Sequence, residues 1–199
     1  RRIVYASSTA VYGNAPAPNR EDGPLTPLNV YGESKKLLDE FAMQFAKEHP
    51  EVTVVGLRYC NVYGPRESHK GKMASMVYQL AQQMAKGDPR LFKHGEQKRD
   101  YIYVKDVVRA NLLAIEAKTS SVLNCGSGRA RTFNELIEIL NRTMGLSRKP
   151  IYIDNPYAAT YQTYTECDMN RAKELIGFVP EFDLERGVAD YFALGLLAS

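Results

Sequence analysis

The chain has 199 residues, 44% of them hydrophobic and 25% charged, with a formal net charge of +3. That length supports a hydrophobic core, the mild charge argues against nucleic-acid or acidic-membrane partners, and no apolar run approaches the roughly eighteen residues a membrane span requires. The three cysteines, Cys60, Cys125 and Cys167, lie far apart without metal-ligand spacing and read as buried free thiols of a cytoplasmic protein.

In chain order, residues 3–7 predict a short buried strand, stopped by Ser7-Ser8-Thr9. Because the sequence opens directly on this strand, it reads as starting inside a fold. Residues 13–29 hold Pro16, Pro18, Pro24 and Pro27 with Gly13 and Gly23 and read as a long loop. From 30 to 47, Leu37, Leu38, Phe41 and Phe45 recur at helical spacing and predict a helix that buries that face. His49-Pro50 ends it, and 52–59 follows as a continuous apolar strand of the kind found in parallel sheets covered on both sides.

Residues 61–72 are irregular, and a helix is expected over 74–85. A short strand at 101–104 precedes a helix over 106–118 with Val107, Val108, Leu112 and Ile115 on its apolar face. Residues 121–125 form a strand ending in Gly126-Ser127-Gly128. Thr132 with Glu135 predicts a capped helix through Thr143. A strand at 151–153 and helices near 170–176 and 184–197 complete the chain. The alternation means an α/β fold with a parallel sheet, whose ligands bind beyond the carboxyl ends of the strands. The loops at 7–13, 61–72 and 126–131 are therefore the candidate site.

Tyr31 and Lys35, at i and i+4 in VYGESKKLLDEF, share one helix face. A phenol titrates at about 10 in water, and a neighbouring ammonium with the positive helix end favours its phenolate form. By itself the pair is a weak signal and reads as an ordinary first helical turn. Ser8 changes this: it closes a strand 23 positions before Tyr31, where a hydroxyl can hold a substrate oxygen that gains or loses a proton.

With YASSTAVYG (5–13), NVYGESK (29–35), LRYCNVYGPR (57–66), RDYIYVKDV (99–107) and LNCGSG (123–128) in register, the sequence resembles the extended short-chain dehydrogenase/reductases over essentially its whole length. These are the nucleotide-sugar epimerases and dehydratases. The resemblance implies a truncated Rossmann-type, doubly wound parallel sheet with a smaller carboxyl-terminal substrate domain. Residues 1–61 and 100–126 would belong to the dinucleotide-binding part, and 62–99 and 127–199 to the substrate-binding part. The family's glycine-rich pyrophosphate turn is missing here, so roughly a hundred preceding residues with the first strands of the sheet are expected.

The resemblance implies further that Ser8, Tyr31 and Lys35 are catalytic, with Tyr31, Lys35, Asn61 and Val62 also contacting an NADP or NAD cofactor. NADP rests on the resemblance alone. Dehydratases of the family carry Thr-Asp-Glu where this chain has Ser8, Thr9 and Ala10, which argues against dehydration. The stretch GPRESHKGKMAS (64–75) is similar to the family's 6-epimerases of ADP-glyceromanno-heptose, lipopolysaccharide-core precursor enzymes in which the matching lysine, Lys70, is a second proton carrier. Its alternative is a diphosphate-binding cation beside Arg66, His69 and Lys72.

A nucleotide-diphosphate sugar would be held by Ser8, Asn61, Lys72, Gln79, Phe92, Arg99 and Tyr161. Arg99 could instead pair with Asp100 or Asp106, and Tyr161 could be a packed loop aromatic. Lys72 and Gln79 depart from the serine and histidine usual in the family. Helices resembling the family's association surface lie partly in 35–47, implying a homo-oligomer. A UDP-glucose 4-epimerase, or a non-catalytic nicotinamide-binding sensor or scaffold, stays open; the joint presence of Ser8, Tyr31 and Lys35 argues for turnover.

Overall fold

The computed structural model describes residues 1–156 and 161–195. The chain runs β1 (Arg2–Ser8), α1 (Val30–Glu48), β2 (Thr53–Tyr59), β3 (Val62–Tyr63), α2 (Met76–Lys86), β4 (Arg90–Phe92), β5 (Lys98–Asp100), β6 (Ile102–Tyr103) and α3 (Val104–Ile115). It continues through β7 (Ser121–Cys125), β8 (Ala130–Thr132), α4 (Phe133–Met144), β9 (Ile151–Ile153), α5 (Asn170–Ile176) and α6 (Leu184–Ala193). Residues 196 and 197, expected at the end of the last helix, lie outside the described residues. Instead of one strand over 101–104, the chain forms β5 and β6, and the helix already begins at Val104.

The central sheet is parallel, in the order β1-β2-β7. Ser8 stands opposite Tyr59, and Tyr59 opposite Cys125, so the three strands end level. β2 carries Val54, Val55 and Leu57 into the two sides of the sheet and is buried from Val54 to Arg58, as expected for a strand covered on both faces. One hydrophobic cluster joins Val55, Leu57 and Leu123 to Val107 and Ala110 of α3; a second unites α2, α4 and α6 around Leu80, Leu136 and Val188. Among the described residues no helix is long and apolar enough to cross a membrane.

Two helix faces differ from the expectation. In α1 the buried residues are Gly32, Asp39 and Ala42, whereas Leu37 and Phe41 are 55% and 70% exposed. The sheet-facing stripe contains a charged residue, Asp39, which is satisfied by Tyr5 and Arg58; an apolar pattern is blind to such a stripe. In α3, Val107, Ala110 and Ala114 face the core, while Val108, Leu112 and Ile115 are exposed. The alanines let the helix lie close to the sheet, and the buried Asp106 accepts the backbone N–H groups of Glu181 and Phe182.

Candidate active site

Ser8 ends β1 in an extended conformation, and its Oγ accepts the N–H of Ala10, capping the 3-10 turn Thr9–Tyr12. With the oxygen engaged this way, the hydroxyl proton is left to donate. Asn29 caps α1 by accepting the Gly32 N–H at 2.9 Å, which places Tyr31 in the first turn. Gly32 has a separate reason to be glycine. A Cβ there would sit 2.6 Å from Ala10 O and 2.9 Å from Pro27 Cβ, so only glycine lets the helix start lie against the turn that follows Ser8.

Lys35 donates from Nζ to the carbonyl of Ala6 in β1 at 2.9 Å, and the same nitrogen lies 5.9 Å from the centroid of the Tyr31 ring. The strand that presents Ser8 thus holds the cation beside the phenol. Tyr31 is 55% exposed.

Beyond the end of β2 a cavity of about 380 Å³ is lined by Asn61, Val62, Lys70, Lys72, Arg99 and Tyr161, among others. Gln79 lines it as well, but its amide nitrogen donates to the carbonyls of Lys72 and Ala74, so it also ties the 68–73 segment to α2. Ser8, Tyr31 and Lys35 are not among the lining residues. Phe92 stands behind the cavity wall, edge-on to Tyr161 at 5.6 Å.

Asn61 has a φ of +40°, a left-handed conformation that asparagine tolerates better than most residues. Its amide nitrogen donates to Asp100 O and Thr165 Oγ1 and approaches Cys60 Sγ at 3.4 Å. Arg99 makes no pair with Asp100 or Asp106. Its guanidinium lies 4.9 Å from the Tyr161 ring centroid and 5.7 Å from that of Phe133, and donates to the carbonyls of Lys98 and Gln162. Tyr161 is accordingly both a cavity residue and a packed aromatic. Burial pushes its phenol up, against the lowering pull of Arg99.

Asp100 has its own role: it accepts the N–H groups of Ser127, Gly128 and Cys167 and the Ser127 hydroxyl. The Gly126-Ser127-Gly128 turn, in one of the three candidate ligand loops, wraps this carboxylate. Burial raises the Asp100 pKa even so. Cys60 and Cys167 meet Asp100 within 4.8 Å. With both carboxylate oxygens occupied by N–H and O–H donors, this trio is a hydrogen-bonded core.

Two polar groups escaped the sequence reading. Arg58, inside an apparently apolar strand, pairs with Asp39 at 2.8 Å and donates to the Tyr12 hydroxyl, which donates in turn to Asn124. Glu67, in an apparently exposed loop, is 3% exposed. The apolar neighbours Leu57 and Tyr59 hinted at Arg58, while nothing beside Glu67, between Arg66 and Ser68, hinted at its burial.

The sequence profile of the NAD dependent epimerase/dehydratase family matches residues 1–126. The chain belongs to that family. Curated relatives of this epimerase/dehydratase chain include the ADP-L-glycero-D-manno-heptose-6-epimerase of Alkalilimnicola ehrlichii, 39% identical over 96% of the chain and 63% of the relative. Among solved structures, the Helicobacter pylori ADP-L-glycero-D-manno-heptose-6-epimerase is 42% identical with a TM-score of 0.88, covering 97% of this chain and 59% of that one. A UDP-glucose 4-epimerase of Thermotoga maritima, solved with UDP-glucose, is 34% identical with a TM-score of 0.88, covering 98% and 64%. The chain thus spans about three fifths of the length of the relatives it matches.

Proposed function

We propose that this chain carries the serine–tyrosine–lysine set and the substrate pocket of a nucleotide-sugar epimerase that interconverts ADP-D-glycero-D-manno-heptose and ADP-L-glycero-D-manno-heptose, supplying heptose for lipopolysaccharide. The observation that carries the reading is the place of Lys70. It lines the same cavity as Asn61, Arg99 and Tyr161, on a different element from Tyr31. Inverting one carbon by oxidation and re-reduction requires proton transfer at two orientations of the carbonyl, and one fixed base need not reach both.

The residues present fit a nicotinamide dinucleotide. Lys35 spends one of its three ammonium donors on Ala6 O and keeps two for a ribose diol, with Asn61 and Val62 beyond the level strand ends. When bound, the cofactor would accept a hydride from the sugar carbon and return it. NADP is the form favoured by the resemblance to the 6-epimerases. Tyr31, beside Lys35, takes the hydroxyl proton; Ser8 donates its free O–H to the carbonyl oxygen. Lys70 handles the proton in the opposite orientation. Lys72 and the Arg99 fork hold the diphosphate and nucleotide end, against the Tyr161–Phe92 wall, with Gln79 closing the pocket beside them.

We assign residues 1–61 and 100–126 to a dinucleotide-binding part and 62–99 and 127–199 to a substrate-binding part; the two hydrophobic clusters follow this division except that Tyr101 and Tyr103 pack with α2, α4 and α6, and Ala172 and Phe178 pack against the central sheet. The exposed stripe of Val30, Leu37 and Phe41 on α1 supports self-association. The three free buried thiols support a reducing, cytoplasmic location.

A second reading, UDP-glucose 4-epimerase, is favoured by the Thermotoga maritima similarity. Assaying the complete protein with both ADP-heptose epimers and with UDP-glucose separates the two. Epimerisation at C6 of the heptose is expected; turnover of UDP-glucose alone would sink the proposal.

A further inference from the structure

The loop that carries Lys70 is exposed from Ser68 to Met73 and follows two short 3-10 turns kinked at Gly71, where φ is +53°. Between Gly64 and Ala74 the one buried residue is Glu67. Its Oε1 accepts the Gly64 N–H at 3.3 Å and the Ser75 hydroxyl at 2.8 Å, while Oε2 accepts the Ser75 N–H at 2.6 Å. Gly64 and Ser75 are the two ends of the loop. One carboxylate therefore ties both sides of its neck, and Ser75 passes the constraint on by capping α2 through the Tyr78 N–H.

The choice of a charged group here needs a reason. Among the described residues no lysine or arginine nitrogen lies within 4.0 Å of Glu67, so the carboxylate is held by neutral donors, and a buried charge without a cation is costly. A carboxylate is the acceptor-only group able to take three converging donors. An amide would turn its NH₂ towards one of them. Glu67 also lines the cavity that Lys70 lines, placing a negative charge under a loop with two lysines.

We propose that Glu67 is a positioning residue for Lys70: by closing the neck of the 64–75 loop it presents the Lys70 ammonium to the substrate cavity in a single register. This rests on the assignment of Lys70 as the second proton carrier. The main-chain link from Lys70 N–H to Glu67 O at 3.0 Å makes the coupling short.

The test is a double-mutant cycle in the complete protein, with kcat and KM measured on both heptose epimers. Glu67→Gln is expected to lower kcat by about 10- to 100-fold, the range for small misplacements of a reacting group, while KM changes less. Combined with Lys70→Met, Glu67→Gln should cause no further loss of kcat, because a residue acting through Lys70 has nothing left to position. A second full loss in the double variant, or wild-type kcat in Glu67→Gln alone, overturns the inference. Full turnover in Lys70→Met overturns the assignment of Lys70, and the inference with it. Ser75→Ala removes one of the three contacts and guards against a Glu67 variant that fails to fold; its kcat should drop about 2- to 5-fold, again only while Lys70 is present. Hydrogen exchange gives a readout independent of turnover: the 68–73 amides should exchange faster in Glu67→Gln, and unchanged protection would contradict the clamp.

Discussion

The corner that holds Ser8, Tyr31 and Lys35 and the cavity around Arg99 and Asn61 are built by different means. In the first, reactive groups hang from regular elements: a strand end, a capped first helical turn, and a single hydrogen bond from Lys35 to Ala6. In the second, the polar side chains are committed to one another and to distant backbone, as Arg99 is to Gln162 and Asn61 is to Thr165. A position set by local structure can stay exposed and chemically free. One set by long-range contacts must be largely satisfied before any ligand arrives.

The comparison can be broken by separating chemistry from stability. Tyr31→Phe in the complete protein is expected to lower turnover by about 10²- to 10⁴-fold, while its stability to urea stays within about 0.5 kcal/mol because Tyr31 is exposed. Full turnover would remove Tyr31 from the mechanism. The converse substitution is Arg58→Ala, which leaves Asp39 on the buried face of α1 with the Tyr5 hydroxyl but without its cation, both side chains of the pair being 4% exposed. Losing one partner of such a pair is expected to cost about 3–5 kcal/mol in denaturant unfolding, and a loss below 1 kcal/mol would show that the pair does not anchor α1.

Smaller effects sharpen the contrast. Burial works to raise the Glu135 carboxyl, but hydrogen bonds from Thr132 and the Arg131 cation outweigh it and hold the group below its ordinary range. Its contribution is therefore present above the unfolded-state pKa and is lost as pH falls through the folded value. The side chain is 40% exposed, so screening limits the effect to about 0.5 kcal/mol. Glu135→Gln should flatten the acid limb of the stability profile by that amount, measured by urea titrations across the acid range. Smallest for the fold is Phe41→Glu on the exposed α1 stripe. Monomer stability should move by less than about 0.5 kcal/mol, while light scattering should show a lower assembly mass if the stripe is the self-association face; an unchanged oligomer would exclude it.

Much of the architecture was legible because it depends on local rules. The parallel alternation and the Thr132–Glu135 capping box follow from turn chemistry and period, whereas Ser8, Tyr31 and Lys35 stood out only through the family resemblance. The buried faces of α1 and α3 were read only in part, Phe45 and Val107 packing as expected and the rest not, for one shared reason. Each helix turns a carboxylate and small residues to the core, Asp39 with Ala42 and Asp106 with Ala110 and Ala114, and leaves larger apolar side chains outside. Hydrophobic periodicity finds the most apolar face, and here that is not the packed one.

What the sequence determined by itself is the order of elements and the residue types at the ends of strands, since strand, cap and turn preferences act within a few residues. Only the tertiary structure decided which polar groups are internal. Arg58, Asp100 and Glu67 became acceptor and donor hubs because folding brings partners 3 to 67 positions away within hydrogen-bond distance, and burial then makes each such contact obligatory.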